Sequence, residues 1–274
     1  MEHEWAHPKV WRKTMFERFF DGLLAGHVAL VTGAARNLPA VIAAEFAATG
    51  AAVAINDVTH QDQAKALAAS IKKKGGRAAV FMADVTDRGQ LVRMVDEVRD
   101  ESSKGLGMVD ILINGAGPFA MDAFPKLPEA DWDRVMDANL KAIYMLAGLV
   151  APGMKAKGWG RIINISAGSA DLRNHSIYGL AKWGVRHLTQ SLALELGPEI
   201  TVNAISPGQI AESAPDIAEF DPTFVERAIA YTPVGRLVTR PEIARIMVLM
   251  CSPAFDSVTG ETLRMDGGWG IPRW

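Results

Sequence analysis

A single cysteine, Cys251, stands among 274 residues, which excludes an internal disulfide and a cysteine metal cluster, as suits a reducing compartment. No apolar run reaches the roughly 18 residues that span a bilayer. The stretch "MEHEWAHPKVWRKTMFERFF" is too charged for a signal-peptide core. A cytoplasmic protein without membrane association is therefore expected. Neither sign of charge is in excess: 29 basic against 31 acidic side chains give no bias toward a polyanion, so nucleic acid is not an expected partner. Internal repeats and low-complexity linkers are missing as well. Hydrophobic residues at 49% and charged residues at 22% make the chain too apolar for disorder, and its length suits one large α/β domain.

Short apolar runs rich in Val, Ile and Ala alternate with longer amphipathic stretches. That alternation predicts an α/β fold, a doubly wound parallel sheet of about seven strands with helices on both faces. Strands are expected at 27–32, 51–56, 77–83, 109–114, 160–166, 200–206 and 262–266. Helices are expected at 38–49, 61–74, 88–103, 129–157, 176–196, 222–231 and 240–252. Two segments break the rhythm. Residues 1–24 carry Trp5, Trp11, Phe16, Phe19 and Phe20 among charges, which predicts an arm packing its aromatic side on this subunit or a neighbour. Residues 209–231 are long and acidic, and a connection of that length at the strand ends of an open sheet predicts a lid.

After the first strand, "TGAARNLP" runs directly into the alanine-rich helix "AVIAAEFAATG". Such a loop presents free backbone N–H groups and a helix dipole to a pyrophosphate. It is poor in glycine. Gly33 supplies the exit from the strand, Asn37 tolerates positive φ, and Pro39 fits a first helical turn. Asp57 ends the second strand about 24 residues after Gly33, near the spacing at which a carboxylate meets the adenosine ribose. The competing reading of Asp57 is an ordinary cap for the segment beginning at Thr59. A carboxylate there repels a ribose phosphate and favours NAD over NADP, whereas Arg36 would attract that phosphate.

"YGLAK" opens the helix at 176–196, and its spacing puts Tyr178 and Lys182 on one face a turn apart. A tyrosine is a poor base at neutral pH, and bringing its pKa to about 7 takes roughly 4 kcal/mol of phenolate stabilisation. A neighbouring ammonium acts in that direction.

The chain resembles the short-chain dehydrogenase/reductase family over nearly all of residues 26–270. The resemblance runs in order through "VALVTGAAR", "INDV", "ADVTD", "INGAG", "MDANL", "RIINIS", "YGLAKWGVRHLTQSLALELG", "ITVNAISPG", "PVGRLVTRPEIARIMVLMCSP" and "TGETLRMDGG". It implies a single Rossmann-like domain over 25–274, a nicotinamide cofactor, hydride transfer to or from a carbonyl or secondary alcohol, and a homotetramer or homodimer. By position it implies that Tyr178 donates and accepts the proton, that Lys182 lowers the tyrosine pKa and holds the nicotinamide ribose, and that Asn139 supports a water relay to that lysine. The nucleotide loop would be Gly33, Arg36, Asn37 and Leu38. Asp84 and Val85 match the adenine contact, Asn114, Gly115 and Ala116 the segment beside the ribose, and Pro207, Gly208 and Ile210 the segment facing the carboxamide.

Several positions depart from the family pattern. Asn37 and Pro39 stand where glycines are usual, Gly115 replaces an asparagine, and Glu212 takes the place of a hydroxyl that Ser213 would then supply. The substrate-orienting hydroxyl falls on Ala167. Ser166 is the expected substitute, with Ser169 the alternative.

Three functions follow as expectations: an NAD(P)-dependent alcohol dehydrogenase or carbonyl reductase first, then a non-catalytic or weakly active binding or assembly protein on the same scaffold, and last the enoyl-reductase branch. In the enoyl branch the tyrosine and lysine usually stand six apart, so "YGLAK" speaks against it. "HEWAH" formally spells a zinc motif but precedes Pro8 with no third ligand evident, so no metal is expected. Pro118, Phe119, Ala120 and Met121 offer an apolar wall to a substrate, with Arg173 and His175 on the other approach. The acidic lid disfavours a polyanion, leaving a small neutral carbonyl or alcohol compound. The helices at 129–157 and 176–196 would form a four-helix interface between subunits, as the resemblance implies.

Overall fold

The computed structural model describes residues 19–120, 124–170, 176–219 and 221–272. From the N-terminal side it runs through β1 (Val28–Val31), α1 (Asn37–Ala48), β2 (Ala52–Asp57), α2 (Gln61–Lys73), β3 (Arg77–Met82), α3 (Arg88–Arg99) and β4 (Ile111–Asn114). The second half holds α4 (Glu129–Met136), a π turn at Asp137–Lys141, α5 (Ala142–Lys157), β5 (Gly160–Ile165), α6 (Ile177–Leu196) and β6 (Ile200–Pro207). After it come α7 (Ala214–Ala218), α8 (Phe224–Ala230), α9 (Arg240–Met250) and β7 (Thr262–Met265).

All seven strands pair in parallel, in the order β3-β2-β1-β4-β5-β6-β7. Helices cover both faces, so the central strands are buried on each side, and this is why their sequences read as unbroken apolar runs. One core layer joins Val31, Ile55 and Ile113 to Ile42 and Phe46 of α1 and Met247 of α9. The opposite layer joins Leu30, Phe81 and Leu112 to Leu91 of α3 and Leu146 of α5. The order reverses between β1 and β4, paired as Ala29 with Ile111 and Val31 with Ile113, which opens a crevice beyond their carboxyl ends.

The seven expected strands are all present. The expected helix at 129–157 is interrupted by the π turn, and the segment at 209–231 contains the short α7 that its sequence did not announce. Of the aromatic N-terminal stretch, only Phe19 and Phe20 are described: Phe20 is buried, and Phe19 is exposed with its ring edge-on to it. The "HEWAH" motif, Trp5, Trp11 and Phe16 lie outside the described residues. Among the described residues no helix is long and apolar enough to cross a membrane.

The start of α9 is held by a capping box. The Thr239 side chain accepts from the Glu242 amide, and Glu242 returns a bond to the Thr239 amide at 2.9 Å. Arg236 also pairs with Glu242, and chiefly that hydrogen bond holds the carboxyl down at about 2. Glu242→Ala should cost about 1 kcal/mol of stability at pH 7 in urea unfolding. Because the folded-state pKa is depressed, the wild-type advantage is full above the ordinary carboxylate value of 4.5 and fades as pH falls toward about 2.

Candidate functional site

The loop after β1 and the loop after β4 meet at the crevice. Gly33 has φ 65°, and a Cβ there would lie 2.9 Å from the Ala116 Cα, so only glycine fits. The Thr32 hydroxyl ties the two loops together by accepting from the Gly115 and Ala116 amides at 3.0 and 3.1 Å. Arg36 is extended and exposed, and Asn37 turns the chain into α1 with φ 56°. Among the described residues Asn37 is the only non-glycine with positive φ. The conformation that glycine would adopt is thus kept by a residue type that tolerates it. Leu38 and Pro39 are buried beneath the loop.

Pro39 and Gly115 are complementary departures. A Cβ at Gly115 would lie 2.8 Å from both Pro39 Cγ and the Thr32 carbonyl oxygen, so the proline ring and the β1 backbone together leave room only for glycine at 115. Beside them, Asn114 donates to Asn164 at 2.8 Å, and Asn164 donates to Thr189 of α6 at 3.0 Å.

Asp57 is 6% exposed at the carboxyl end of β2. One carboxylate oxygen accepts from the Ala35 amide of the nucleotide loop at 3.3 Å. The other accepts from the Thr59 and His60 amides at 3.1 and 3.0 Å and contacts the His60 ring at 3.1 Å. Burial alone would raise its pKa, but the His60 and Thr59 amides, the His60 ring and the Ala35 amide outweigh it and hold the carboxyl below its ordinary value. Asp57 therefore both closes the turn before α2 and reaches the nucleotide loop. Asp84 spends a carboxylate oxygen on the Thr86 amide and hydroxyl, and Val85 is buried.

On the other side of the sheet, α6 begins at Ser176, whose side chain caps the Gly179 amide, and this places Tyr178 in the first turn. Lys182 Nζ stands 5.5 Å from the centre of the Tyr178 ring and donates to the Ile165 carbonyl at 2.7 Å. Phe119 meets Tyr178 edge-on at 6.3 Å. The expected lowering of the tyrosine is not what this environment gives. Burial pushes Tyr178 up to about 12 and Lys182 down to about 8, because both charged forms lose water together.

Asn139 lies in the π turn, a feature frequent at functional sites. Its Nδ2 donates to the Val135 and Pro118 carbonyls at 2.9 and 2.8 Å, while its Oδ1 is buried without a partner. Ser166 departs from expectation. It is 1% exposed, its hydroxyl donates to the Lys182 carbonyl at 2.9 Å, and it accepts from Arg186 at 3.3 Å. That hydroxyl is committed to the body of α6 rather than offered to a substrate. Ser169 sits in the turn Gly168–Ala170, but its side chain lies outside the described residues, as do Met121, Arg173 and His175.

At the end of β6, Pro207 is buried, and just past it Gly208 backs onto Asp266, whose Cα would lie 2.7 Å from a Cβ at 208. Ile210 forms an isolated bridge to Val238. Glu212 accepts from the backbone amide of Arg240 at 3.2 and 3.1 Å, and Ser213 accepts from its guanidinium at 3.2 Å. Arg240 also donates to Asn37 at 3.3 Å, from 203 residues away. Arg240 lies in a segment that carries the family resemblance, but sequence reasoning gave it no role, although a cation in the first turn of a helix is a signal that was available. Among the described residues no group of His, Cys, Asp and Glu side chains is arranged to hold a metal ion.

A family model described as enoyl-(acyl carrier protein) reductase matches residues 33–270. The chain is 33% identical over 248 residues to the 7alpha-hydroxysteroid dehydrogenase of Escherichia coli K12, covering 89% of this chain and 94% of that protein. A gluconate 5-dehydrogenase from Burkholderia cenocepacia, solved with NADP and tartrate, superposes with a TM-score of 0.85 at 30% identity over 94% of this chain and all of that one. A 7alpha-hydroxysteroid dehydrogenase solved with NADH and 7-oxo glycochenodeoxycholic acid gives 0.83 at 32% identity, covering 91% and 96%. With strand order, crevice and these matches in agreement, the chain belongs to the short-chain dehydrogenase/reductase family of oxidoreductases.

Proposed function

We propose that this protein is a nicotinamide-dependent alcohol dehydrogenase or carbonyl reductase with Tyr178 as its acid and base. The observation that carries the reading is the packing of Tyr178 against a buried Lys182, on the carboxyl-end side of a sheet whose β1 and β4 loops form a nucleotide-type crevice. The residues suit a dinucleotide: Gly33 and Asn37 hold positive φ, Asp57 is kept ionised at the end of β2, and the orphaned Asn139 Oδ1 awaits a donor such as water.

In this reading the dinucleotide supplies or takes up the hydride. Arg36 and the backbone amides of Gly33, Asn37 and Leu38 would hold its phosphates, and Asp57 would accept from the adenosine ribose. Asp84 and Val85 flank the adenine. Asn114, Gly115 and Ala116 line the ribose side, and Pro207, Gly208 and Ile210 line the carboxamide side. Lys182 spends one donor on Ile165 and keeps two, which suit a ribose hydroxyl and a water on Asn139. Tyr178, raised to about 12, keeps its proton at neutral pH and gives it to the oxygen of a carbonyl being reduced. The four-residue spacing of Tyr178 and Lys182 favours this chemistry over enoyl reduction. NAD is favoured over NADP because an ionised Asp57 repels a ribose phosphate. The substrate is a small carbonyl or alcohol compound.

A second copy of the chain is the proposed partner. Tyr144, Leu180 and Trp183 are exposed along α5 and α6, beside an apolar groove that includes Met136, Leu140 and Leu188.

Titration of the purified protein with NADH and NADPH tests the reading. Binding in the range of about 1–100 μM, tighter for NADH, is expected, followed by turnover in a panel of ketones and secondary alcohols. No binding of either up to about 1 mM, weaker than about −4 kcal/mol, would overturn it in favour of a non-catalytic scaffold.

A further inference from the structure

Arg240 is placed where a cation has no local reason to be. It opens α9, and a positive charge in a first turn faces the positive end of the helix dipole. Its backbone amide is satisfied by Glu212. The guanidinium leaves its own helix: Nη2 donates to Asn37 Oδ1 at 3.3 Å and to Ser213 Oγ at 3.2 Å. One side chain thus joins the residue that turns the nucleotide loop into α1 to the turn Ala211–Ser213, at the start of the acidic segment.

The bonds it makes are weak for what it carries. Both acceptors are neutral oxygens at long distance, and its Nε is buried with no acceptor. Among the described residues no carboxylate pairs with its guanidinium, although Glu212 stands close enough to bind its amide. A guanidinium has five donors in a planar fork that matches phosphate oxygens. Here that fork borders Asn37, at the helix N-terminus beyond β1 where the phosphates of a dinucleotide pass in a βαβ unit.

We propose that Arg240 is a binding residue for the pyrophosphate of the dinucleotide, exchanging its neutral contacts with Asn37 and Ser213 for charge-assisted bonds to phosphate oxygens. The inference rests on the dinucleotide reading above. It also gives a physical account of a glycine-poor loop: Asn37 adds a side chain where glycine would leave bare backbone, and a cation recruited from α9 restores attraction for the anion.

The test is Arg240→Gln beside Arg240→Lys, with NADH, ADP and adenosine titrated at low and high salt and thermal unfolding as a check on the fold. Arg240→Gln should weaken NADH and ADP by about 10- to 100-fold, the range for losing a hydrogen bond to a charged group. Adenosine, which has no phosphate, should bind within about twofold of wild type, and the salt sensitivity of NADH binding should fall. Arg240→Lys should recover part of the loss, keeping charge without the fork. Equal ADP affinity in Arg240→Gln and wild type would overturn the proposal. So would an equal loss for adenosine, which would mark Arg240 as a structural strut between loops. Wild-type protein that binds none of the three would instead bring down the dinucleotide reading, and this proposal with it.

Discussion

Tyr178→Phe should lower kcat/KM for carbonyl reduction by about 100- to 10,000-fold, the usual contribution of a positioned general acid, while NADH affinity changes little. Phenylalanine keeps the ring that Phe119 meets edge-on and removes only the hydroxyl, so packing is preserved and the loss isolates the proton. The pH profile adds a second readout. Tyr178, pushed up to about 12, stays protonated through neutral pH, so reduction should be level until Lys182, brought down to about 8, begins to lose its charge. Alcohol oxidation needs the phenolate and should instead rise as pH increases from neutrality. Rates of both directions in wild type and variant between about pH 6 and 9 check this, since a group with pKa near 8 titrates inside that window. Retained activity in Tyr178→Phe would remove Tyr178 from the role of acid.

Much of the fold could be read because parallel strands buried on both faces leave an unmistakable record. "VALV", "AVAIND" and "GRIINI" are buried along their whole length, and each lies within a residue or so of its expected span. The π turn was not readable. "VMDANLK" keeps a helical apolar period, and periodicity does not distinguish an i→i+5 turn from its α-helical neighbours. Ser166 misled for a related reason. At a strand end, adjacent residues point to opposite faces, so a serine beside Ala167 is directed away from whatever Ala167 faces. Its amide still pairs with Ile205 as the ladder continues, and its hydroxyl lands on α6. The link from Arg240 to Asn37 joins residues 203 apart and leaves no local pattern at all. Asn37 and Pro39 stand in the loop where the family pattern has glycines. In the fold Pro39 packs against Gly115, where a side chain would also meet the Thr32 carbonyl, so the two departures fit side by side.

Asp57→Asn should reverse or abolish a preference for NADH over NADPH, with the affinity ratio moving by about 10- to 100-fold, the worth of a hydrogen bond to a charged group. The ratio is the informative quantity, because Asp57 also supports its surroundings. The substitution can keep an oxygen toward the Thr59 and His60 amides, but it then turns an NH2 group toward the Ala35 amide, where two donors face each other. That defect weakens both cofactors alike and cancels in the ratio. Loss of the negative charge does not cancel: it removes the repulsion felt only by the additional phosphate and weakens the ribose contact made only when that phosphate is absent. Arg36→Ala supplies the opposite displacement, lowering NADPH affinity in the Asp57→Asn background while leaving NADH nearly unchanged, since Arg36 is exposed and its charge matters most to the extra phosphate. An unchanged ratio in Asp57→Asn would mean that the carboxylate serves the turn before α2 alone, and cofactor choice would then have to be sought in Arg36 and the loop backbone.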